Sequence, residues 1–465
     1  MYAGMDFGTS SCAVAIWHHD APELIPLEDH GTHMLSALHS SKGALPVPHF
    51  DRQEVLSGIG EAADRQRAEA IQRGLMRREM AERVRRQQGD NAPLYFDPDI
   101  VFGQAALANY LFDPQHGFYA KSPKSFLGAD LQGRHLGLFT EIITRLMAHI
   151  KQRAEVSAGQ PLDRVVVGRP VNFHGTRGER GNRQAVQILE QAATAAGFVE
   201  TAFLYEPIAA ALDYERTLER DRIVLVLDAG AGTTDCSMIK VGPSYRHLRD
   251  RASSLLGSSG TRIGGIDFDI KLAMNALMPS FGKDVLLNNG LPFPNHFLWD
   301  ALTVNDINAQ ARFYAKTTPL ELQGYCNICA DKQKVGRLIR LREERLSHSV
   351  VRHAELAKIA LSEAEGVTSH LSDIERDLSV AVTRSQLRDA VELELRKFVS
   401  LMREVVTQAG VRPDTIYVTG GTAKSPVVAE MIRLHFGGTE VVTGDFFGSV
   451  TSGLATWSHR MFGKG

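Results

Sequence analysis

The chain has 465 residues, enough for two to four compact units at roughly 100–200 residues each, so its core does not depend on disulfide staples. Lys plus Arg number 52 against 54 Asp plus Glu, a balance that gives no basic field for nucleic acid or an anionic lipid surface. Four cysteines over this length argue for reduced thiols, no apolar run approaches the ~20 residues of a membrane helix, and Asp6 and Gly8 stand where an export signal would be apolar; a cytoplasmic protein without a membrane span is expected.

Strands rich in Val, Ile and Leu are predicted at 12–17, 164–167, 223–227, 236–241 and 415–419. Helical periodicity marks 139–154, 183–196, 267–277 and 385–408, and the alternation of the two argues for an α/β architecture. Two segments differ. Residues 60–88 are Arg-rich with interspersed Glu and read as an exposed helix laced with ion pairs, a basic docking surface being the alternative. Residues 278–330, rich in Pro, Asn and aromatics, read as an irregular insertion.

One short pattern occurs twice. Asp6-Phe-Gly8-Thr9-Ser10-Ser11 runs into the apolar stretch from Cys12, and Asp228-Ala-Gly230-Ala231-Gly232-Thr233-Thr234-Asp235 runs into the stretch from Cys236. A dinucleotide or P-loop glycine motif would open into a helix, whereas each of these turns is followed by strand-like sequence, so both are predicted hairpins. Their repetition suggests a duplicated domain with one loop from each half. Turns of Gly, Thr and Ser expose backbone N–H groups and add hydroxyl donors, a set that suits phosphate oxygens. An Asp ending the preceding strand, as Asp6 and Asp228 do, can hold Mg²⁺ through water. Singly each is an ordinary turn; paired, they favour a nucleoside triphosphate clamp.

These residues resemble the ATPase domain of the DnaK-type heat-shock chaperones, in the actin, hexokinase and chaperone superfamily. Asp6 to Ser11 resembles the family's first phosphate loop, and Lys124-Ser-Phe-Leu-Gly128 the segment with its catalytic Lys. Val165 to Pro170 is similar to the strand ending in its switch Pro, and Arg183 stands at its coupling Arg. Tyr205-Glu206-Pro207 resembles its Glu-Pro helix and Asp228 to Asp235 its second phosphate loop. Gly264-Gly265-Ile-Asp267, Glu355-Leu-Ala-Lys358 through Ser362, and Gly420-Gly421-Thr-Ala-Lys424 resemble its adenosine-binding elements, and Asp445 is assigned to the same subsite. The spacing and the ending are most similar to the YegD-type chaperones that lack a peptide clamp.

The resemblance implies an actin-like ATPase fold, two lobes of duplicated ribonuclease-H-like domains around a nucleotide cleft. Residues 1–220 with 444–465 would form lobe I, its insertion-bearing subdomain at about 37–136; residues 221–443 would form lobe II, its insertion at about 273–385. No peptide-binding domain is expected, because eight residues follow Trp457. ATP and Mg²⁺ are the implied cofactors, ATP hydrolysis to ADP and phosphate the implied reaction, and a separate protein partner or client the implied reader. A sugar-type small-molecule kinase and an actin-like filament protein are the competing classes.

In that reading Lys124 is the cation near the γ-phosphate, with Lys121 as its nearest competitor, and Glu206 handles a Mg²⁺-bound water or a proton. Thr233 approaches the γ-phosphate, Asp235 positions water, and Asp6 and Asp228 hold Mg²⁺ through water. Gly8, Thr9, Ser10, Ser11, Gly230 and Gly232 cradle phosphates, while Gly264, Gly265, Glu355, Lys358, Ser362, Gly420, Gly421, Lys424 and Asp445 surround the adenosine. Three departures stand out: Ala231 in place of a loop glycine, Ile266 in place of a ribose-side Glu, and Lys424 in place of an Arg that would stack on adenine as a plane. Cys326-x-x-Cys329 invites a metal reading with His348 and His353, but that histidine spacing departs from zinc-finger patterns and two buried thiols are expected.

Overall fold

The computed structural model describes residues 1–29, 31–42, 99–113, 116–131, 133–173, 178–248, 251–446 and 448–463; the helix expected at 60–88 lies outside them. The chain opens with β1 (Tyr2–Phe7), β2 (Ser11–His18) and β3 (Ala21–Ile25), an antiparallel meander to which the short β4 (His33–Leu35) adds on β2. A separate small sheet follows, with β5 (Ala37–Ser40) between β6 (Ile100–Phe102) and β7 (Phe118–Lys121). The chain then returns to the first sheet, where β8 (Arg164–Arg169) pairs parallel to β1 and β9 (Glu200–Tyr205) parallel to β8, giving the order β3-β2-β1-β8-β9.

The second sheet repeats this plan. β10 (Arg222–Ala229), β11 (Thr234–Val241) and β12 (Leu255–Thr261) form the antiparallel meander. The hairpin β13 (Gly366–His370) and β14 (Ser379–Thr383) intervenes, and β15 (Thr415–Thr419) and β16 (Glu440–Thr443) then add in parallel, giving β12-β11-β10-β15-β16. Three antiparallel strands followed by two parallel ones occur twice in the same order, so the duplication inferred from two short hairpins extends through whole sheets. β10 is apolar without alternation, Val224 to Leu227 all being fully buried, as expected of a strand covered on both faces.

Two helices join the sheets. Glu206–Glu215 and Ser449–Phe462 contribute Ala210, Leu212, Leu454 and Trp457 to one apolar cluster with Val166 of the first sheet and Val226 of the second. They approach so closely that a Cβ on Gly453 would lie 1.8 Å from the Ala209 carbonyl oxygen, so the crossing requires glycine there.

Three sequence expectations change. The segment 278–330 is folded, not irregular: helices Asn295–Leu302, Ile307–Phe313 and Thr318–Ile328 pack around buried Phe281, Phe293, Phe297 and Phe313. Pro279 and Pro319 open helical turns, where the missing N–H costs nothing, and the phenylalanines are core. The helix expected at 267–277 is α-helical over Gly265–Leu272 and passes into a π-turn at Ala273–Leu277. The one expected at 385–408 is two helices, Arg384–Ala390 and Glu392–Ala409, separated at Val391. Among the described residues no helix is long and apolar enough to cross a membrane.

Candidate functional site

The tips of the two repeated hairpins meet. A Cβ on Gly232 would lie 2.6 Å from Thr9 Cγ2, and one on Gly8 would lie 2.2 Å from the Ser11 carbonyl oxygen, so both loops need glycine for close backbone approach. The second loop is fixed from behind: Thr422 Oγ1 donates to Gly230 O at 2.7 Å, and the Gly265 and Ile266 amides donate to Gly230 O and Ala231 O at 3.0 and 2.7 Å. The carbonyls of residues 230 and 231 are thereby occupied away from the cleft. Gly264 packs against this backbone, where a Cβ would be 2.5 Å from the carbonyl carbon of Ala231.

Asp6 and Asp228 each come one residue before the end of their strand, β1 and β10, and both line the cleft between the sheets. Lys124 reaches the same cleft from the 3₁₀ turn Pro123–Phe126, which follows Ser122 in the left-handed region (φ 57°). Its ammonium is buried and donates to Glu206 Oε1 at 2.5 Å, Glu206 being the first residue of helix Glu206–Glu215.

This corner carries more negative than positive charge. Burial, then the charge of Glu206, pushes the Asp6 carboxyl up to about 7, with Lys124 opposing. Burial, Glu206 and Asp6 push Asp228 up to about 8. Asp235 is also pushed well above the usual carboxylate range, first by burial and then by Glu206 and Asp228. Burial disfavours the charged form of Lys124, but Glu206 and Asp6 outweigh it and raise its pKa.

The far end of the cleft is an ion-pair network over an apolar floor. Lys358 Nζ lies 2.7 Å from Asp269 Oδ1 and donates to Gly265 O at 3.1 Å. Glu355 pairs with Arg352 at 2.8 Å and, across the cleft, with Lys121 at 3.6 Å. Ile266, Ile359, Phe446 and Val450 supply apolar lining.

Of the residues singled out from the sequence, Asp6, Gly8, Thr9, Ser10, Ser11, Lys124, Glu206, Asp228, Gly230, Thr233, Gly265, Glu355, Lys358, Gly420 and Gly421 all line this one cleft. Gly232 and Gly264 stand behind it as packing positions. Asp235 is buried beside it, takes a backbone hydrogen bond from Val171, and its Oδ1 has no partner. Ser362, Lys424 and Asp445 are outside the lining; Lys424 is exposed, and the Asp445 backbone oxygen accepts from Ser449 Oγ at 2.8 Å. Sequence reading missed Asp269, Ile359, Thr422, Phe446 and Val450 and gave Lys121 no partner. Asp269 and Lys358 are 89 positions apart, and no local pattern joins them. Cys326 and Cys329 are buried free thiols.

Residues 121–288 match the family model described as Hsp70 protein. Over 309 residues the chain is 26% identical to the Chaperone protein DnaK of Stenotrophomonas maltophilia (strain R551-3), covering 64% of this chain and 38% of that protein. The two findings support an Hsp70-type ATPase domain, and the mixed α/β architecture is consistent with the actin-like fold of such domains. The Hsp70-like segment contains Lys124, Glu206, the second hairpin loop and Gly264-Gly265.

Proposed function

We propose that the cleft binds ATP with Mg²⁺, hydrolyses it slowly, and so acts as a nucleotide-controlled switch for a protein partner. The observation that carries this reading is the meeting of the two Gly/Thr/Ser hairpin tips between Asp6 and Asp228, with the buried Lys124–Glu206 pair beside them. In lobe terms, residues 1–220 with 444–465 form one half and 221–443 the other; the packing of helix Ser449–Phe462 against Gly4 of β1 supports that division.

The donor set fits both groups. Three carboxylates, Asp6, Glu206 and Asp228, converge on the cleft with Lys124 among them, and burial together with their mutual repulsion raises the pKa of Asp6 and Asp228. A hard divalent cation suits such an oxygen set, and Asp6 and Asp228 would hold it through water. When bound, Mg²⁺ neutralises phosphate charge and holds the triphosphate in one geometry.

The chain's own residues do the rest. The two loops offer N–H and hydroxyl donors to phosphate oxygens, and their close contact excludes bulk water. Lys124 stays charged in a buried site, where a fixed cation stabilises charge that develops during phosphoryl transfer. Glu206 holds Lys124 in place and can accept a proton from attacking water. Glu355 and Lys358 face the sugar end, and the apolar lining takes the base.

The test is single-turnover ATP hydrolysis and nucleotide-dependent melting of the purified chain. Binding with slow turnover to ADP supports the reading; no stabilisation by ATP with Mg²⁺ removes it.

A further inference from the structure

Cys326-x-x-Cys329 is a motif that the proposed chemistry of the cleft leaves unused. Cys326 lies in the last turn of helix Thr318–Ile328, and Cys329 follows the helix end in extended backbone, φ −91° and ψ 156°. The histidines that a zinc site would recruit are engaged elsewhere. His348 stands edge-on to Tyr110 and Tyr119, with ring centroids 5.4 and 5.6 Å away, and His353 Nε2 lies 2.7 Å from Asp373 Oδ1. Among the described residues no three His, Cys, Asp or Glu side chains are placed to share an ion, so the two thiols have only each other as partners in chemistry.

The pair is close enough to react. The Cys329 thiol donates to the Cys326 carbonyl oxygen at 3.3 Å, and the Cys326 thiol donates to Lys332 O at 3.7 Å. Burial, and then the Cys326 thiol beside it, pushes the Cys329 thiol up. Residues three apart at a helix end are one turn from each other, within the span of a disulfide, and Cys329 has already left the helix, so adjustment falls on it and not on the helix. Leu287, Phe293, Leu322 and Val335 belong to the same apolar cluster. Such surroundings disfavour a thiolate and suit a neutral disulfide, which carries no donor to satisfy. Cys12 on β2 and Cys236 on β11 supply the contrast: they lie in different sheets, both are fully buried, and burial pushes Cys12 up to about 12 and Cys236 higher still.

We propose that Cys326 and Cys329 are a dithiol that a low-molecular-weight disulfide, such as oxidised glutathione, converts reversibly to an intramolecular disulfide. The Cys326 thiolate attacks one sulfur of the oxidant and releases a first thiol; Cys329 then attacks Cys326 in the mixed disulfide and releases a second. Two protein S–H bonds and the oxidant's S–S bond break, one protein S–S bond and two S–H bonds form, and two electrons pass to the oxidant. Cys326 takes the first step because it is the more exposed, 9% against 5%, and because burial keeps Cys329 protonated. The pair lies under one surface layer, in which Leu286, Leu291 and Ile328 are exposed, so local opening of segment 285–293 admits the oxidant. That segment rests on the helix end: Leu287 bridges to Cys329, Asn288 N donates to Ile328 O at 2.7 Å, and Ala330 N donates to Leu286 O at 2.8 Å. The disulfide therefore staples the helix end beneath it and stiffens this part of the surface. None of this rests on the nucleotide reading.

The test uses the full chain in glutathione buffers of stepped ratio, with free thiols trapped by alkylation and peptides read by mass spectrometry. Oxidation should remove two hydrogens, about 2 Da, from the segment carrying both cysteines. Cys12 and Cys236 should react about tenfold more slowly or not at all. Cys329→Ser should instead accumulate a glutathione adduct at Cys326, about 305 Da heavier, and Cys326→Ser should form neither product. In the oxidised wild type the Asn288 and Ala330 amides should exchange hydrogen about tenfold more slowly, and dithiothreitol should restore the reduced rate. Where a Ser variant fails to fold, wild-type mass and exchange decide alone. A pair that stays reduced in the folded chain at a ratio that oxidises it in the urea-unfolded chain would overturn the site. An adduct at Cys329 in Cys326→Ser, with none in Cys329→Ser, would overturn the order of attack. Unchanged exchange in the oxidised chain would overturn the staple.

Discussion

Lys124 and Glu206 form a buried ion pair, Nζ to Oε1 2.5 Å, between the 3₁₀ turn before helix Arg134–Ala158 and the first residue of the helix that joins the two sheets. Lys124→Ala leaves Glu206, whose side chain is 10% exposed, without its cation, and stranding one member of such a pair costs about 3–5 kcal/mol of stability. ATP binding should persist while single-turnover hydrolysis falls roughly 10²–10³-fold, the effect of removing one preorganised electrostatic contact. Lys124→Met with Glu206→Gln should recover most of the stability and none of the hydrolysis. Normal hydrolysis in Lys124→Ala, with loss in Lys121→Ala, would transfer the role to Lys121.

The hairpin glycines differ in how much they tolerate. At Gly230 a Cβ meets the Thr233 carbonyl oxygen at 3.4 Å, an ordinary contact, whereas at Gly8 it would meet the Ser11 oxygen at 2.2 Å. Gly230→Ala should therefore keep its response to ATP, and Gly8→Ala should lose it. Ligand at a hundredfold excess over its dissociation constant adds about 2.7 kcal/mol, so the difference is measurable as a melting shift. Equal shifts in the two variants would show that the first loop does not contact the ligand.

The raised acids make the site's response to Mg²⁺ depend on pH. Burial and the neighbouring carboxylates push Asp6 up to about 7 and Asp228 up to about 8 in the folded chain, well above the ordinary carboxylate range, so over that interval the native state binds more protons than the unfolded one. Stability of the chain alone should fall as pH rises from about 4 through 8 on account of these two groups. A cation at the carboxylates competes with the protons, so Mg²⁺ should raise the melting temperature more at pH 8 than at pH 6. Asp228→Asn should flatten that difference. An Mg²⁺ effect independent of pH would show that the cation binds elsewhere.

What was legible in the sequence was local. Asp6 and Asp228 near the ends of strands, each followed by small residues and a second strand, announce the hairpins, and the structure builds both sheets around them. Lys124 and Glu206 were legible as separate motifs, but their pairing over 82 positions was not. Composition misled at 278–330, where Pro at first turns and buried Phe look like loop chemistry until the helices are seen to pack. The contact of His348 with Tyr110 and Tyr119 could not be read at all: the three residues carry no motif, and only the packing of distant segments brings them together.

The base end of the cleft leads to a prediction about specificity. Lys424, expected to flank adenine, is exposed and outside the lining, so no charged plane is available there to stack on a purine. The lining contributed instead by Ile266, Ile359, Phe446 and Val450 recognises a flat apolar face without distinguishing the hydrogen-bonding edges of adenine and guanine. Strong rejection of an analogue needs buried polar groups left unpaired by the wrong ligand, and these four side chains provide none. Competition binding should therefore give an ATP preference over GTP below a thousandfold. Ile359, 54% exposed in the chain alone, has about half its surface left for a base to cover. Ile359→Ala should weaken ATP and GTP alike by a few-fold, roughly 1 kcal/mol of apolar contact, leaving their ratio unchanged. A change in the ratio, or a preference beyond a thousandfold in wild type, would mean that backbone groups near Gly420 and Gly421 read the base edge and that the apolar walls only support it.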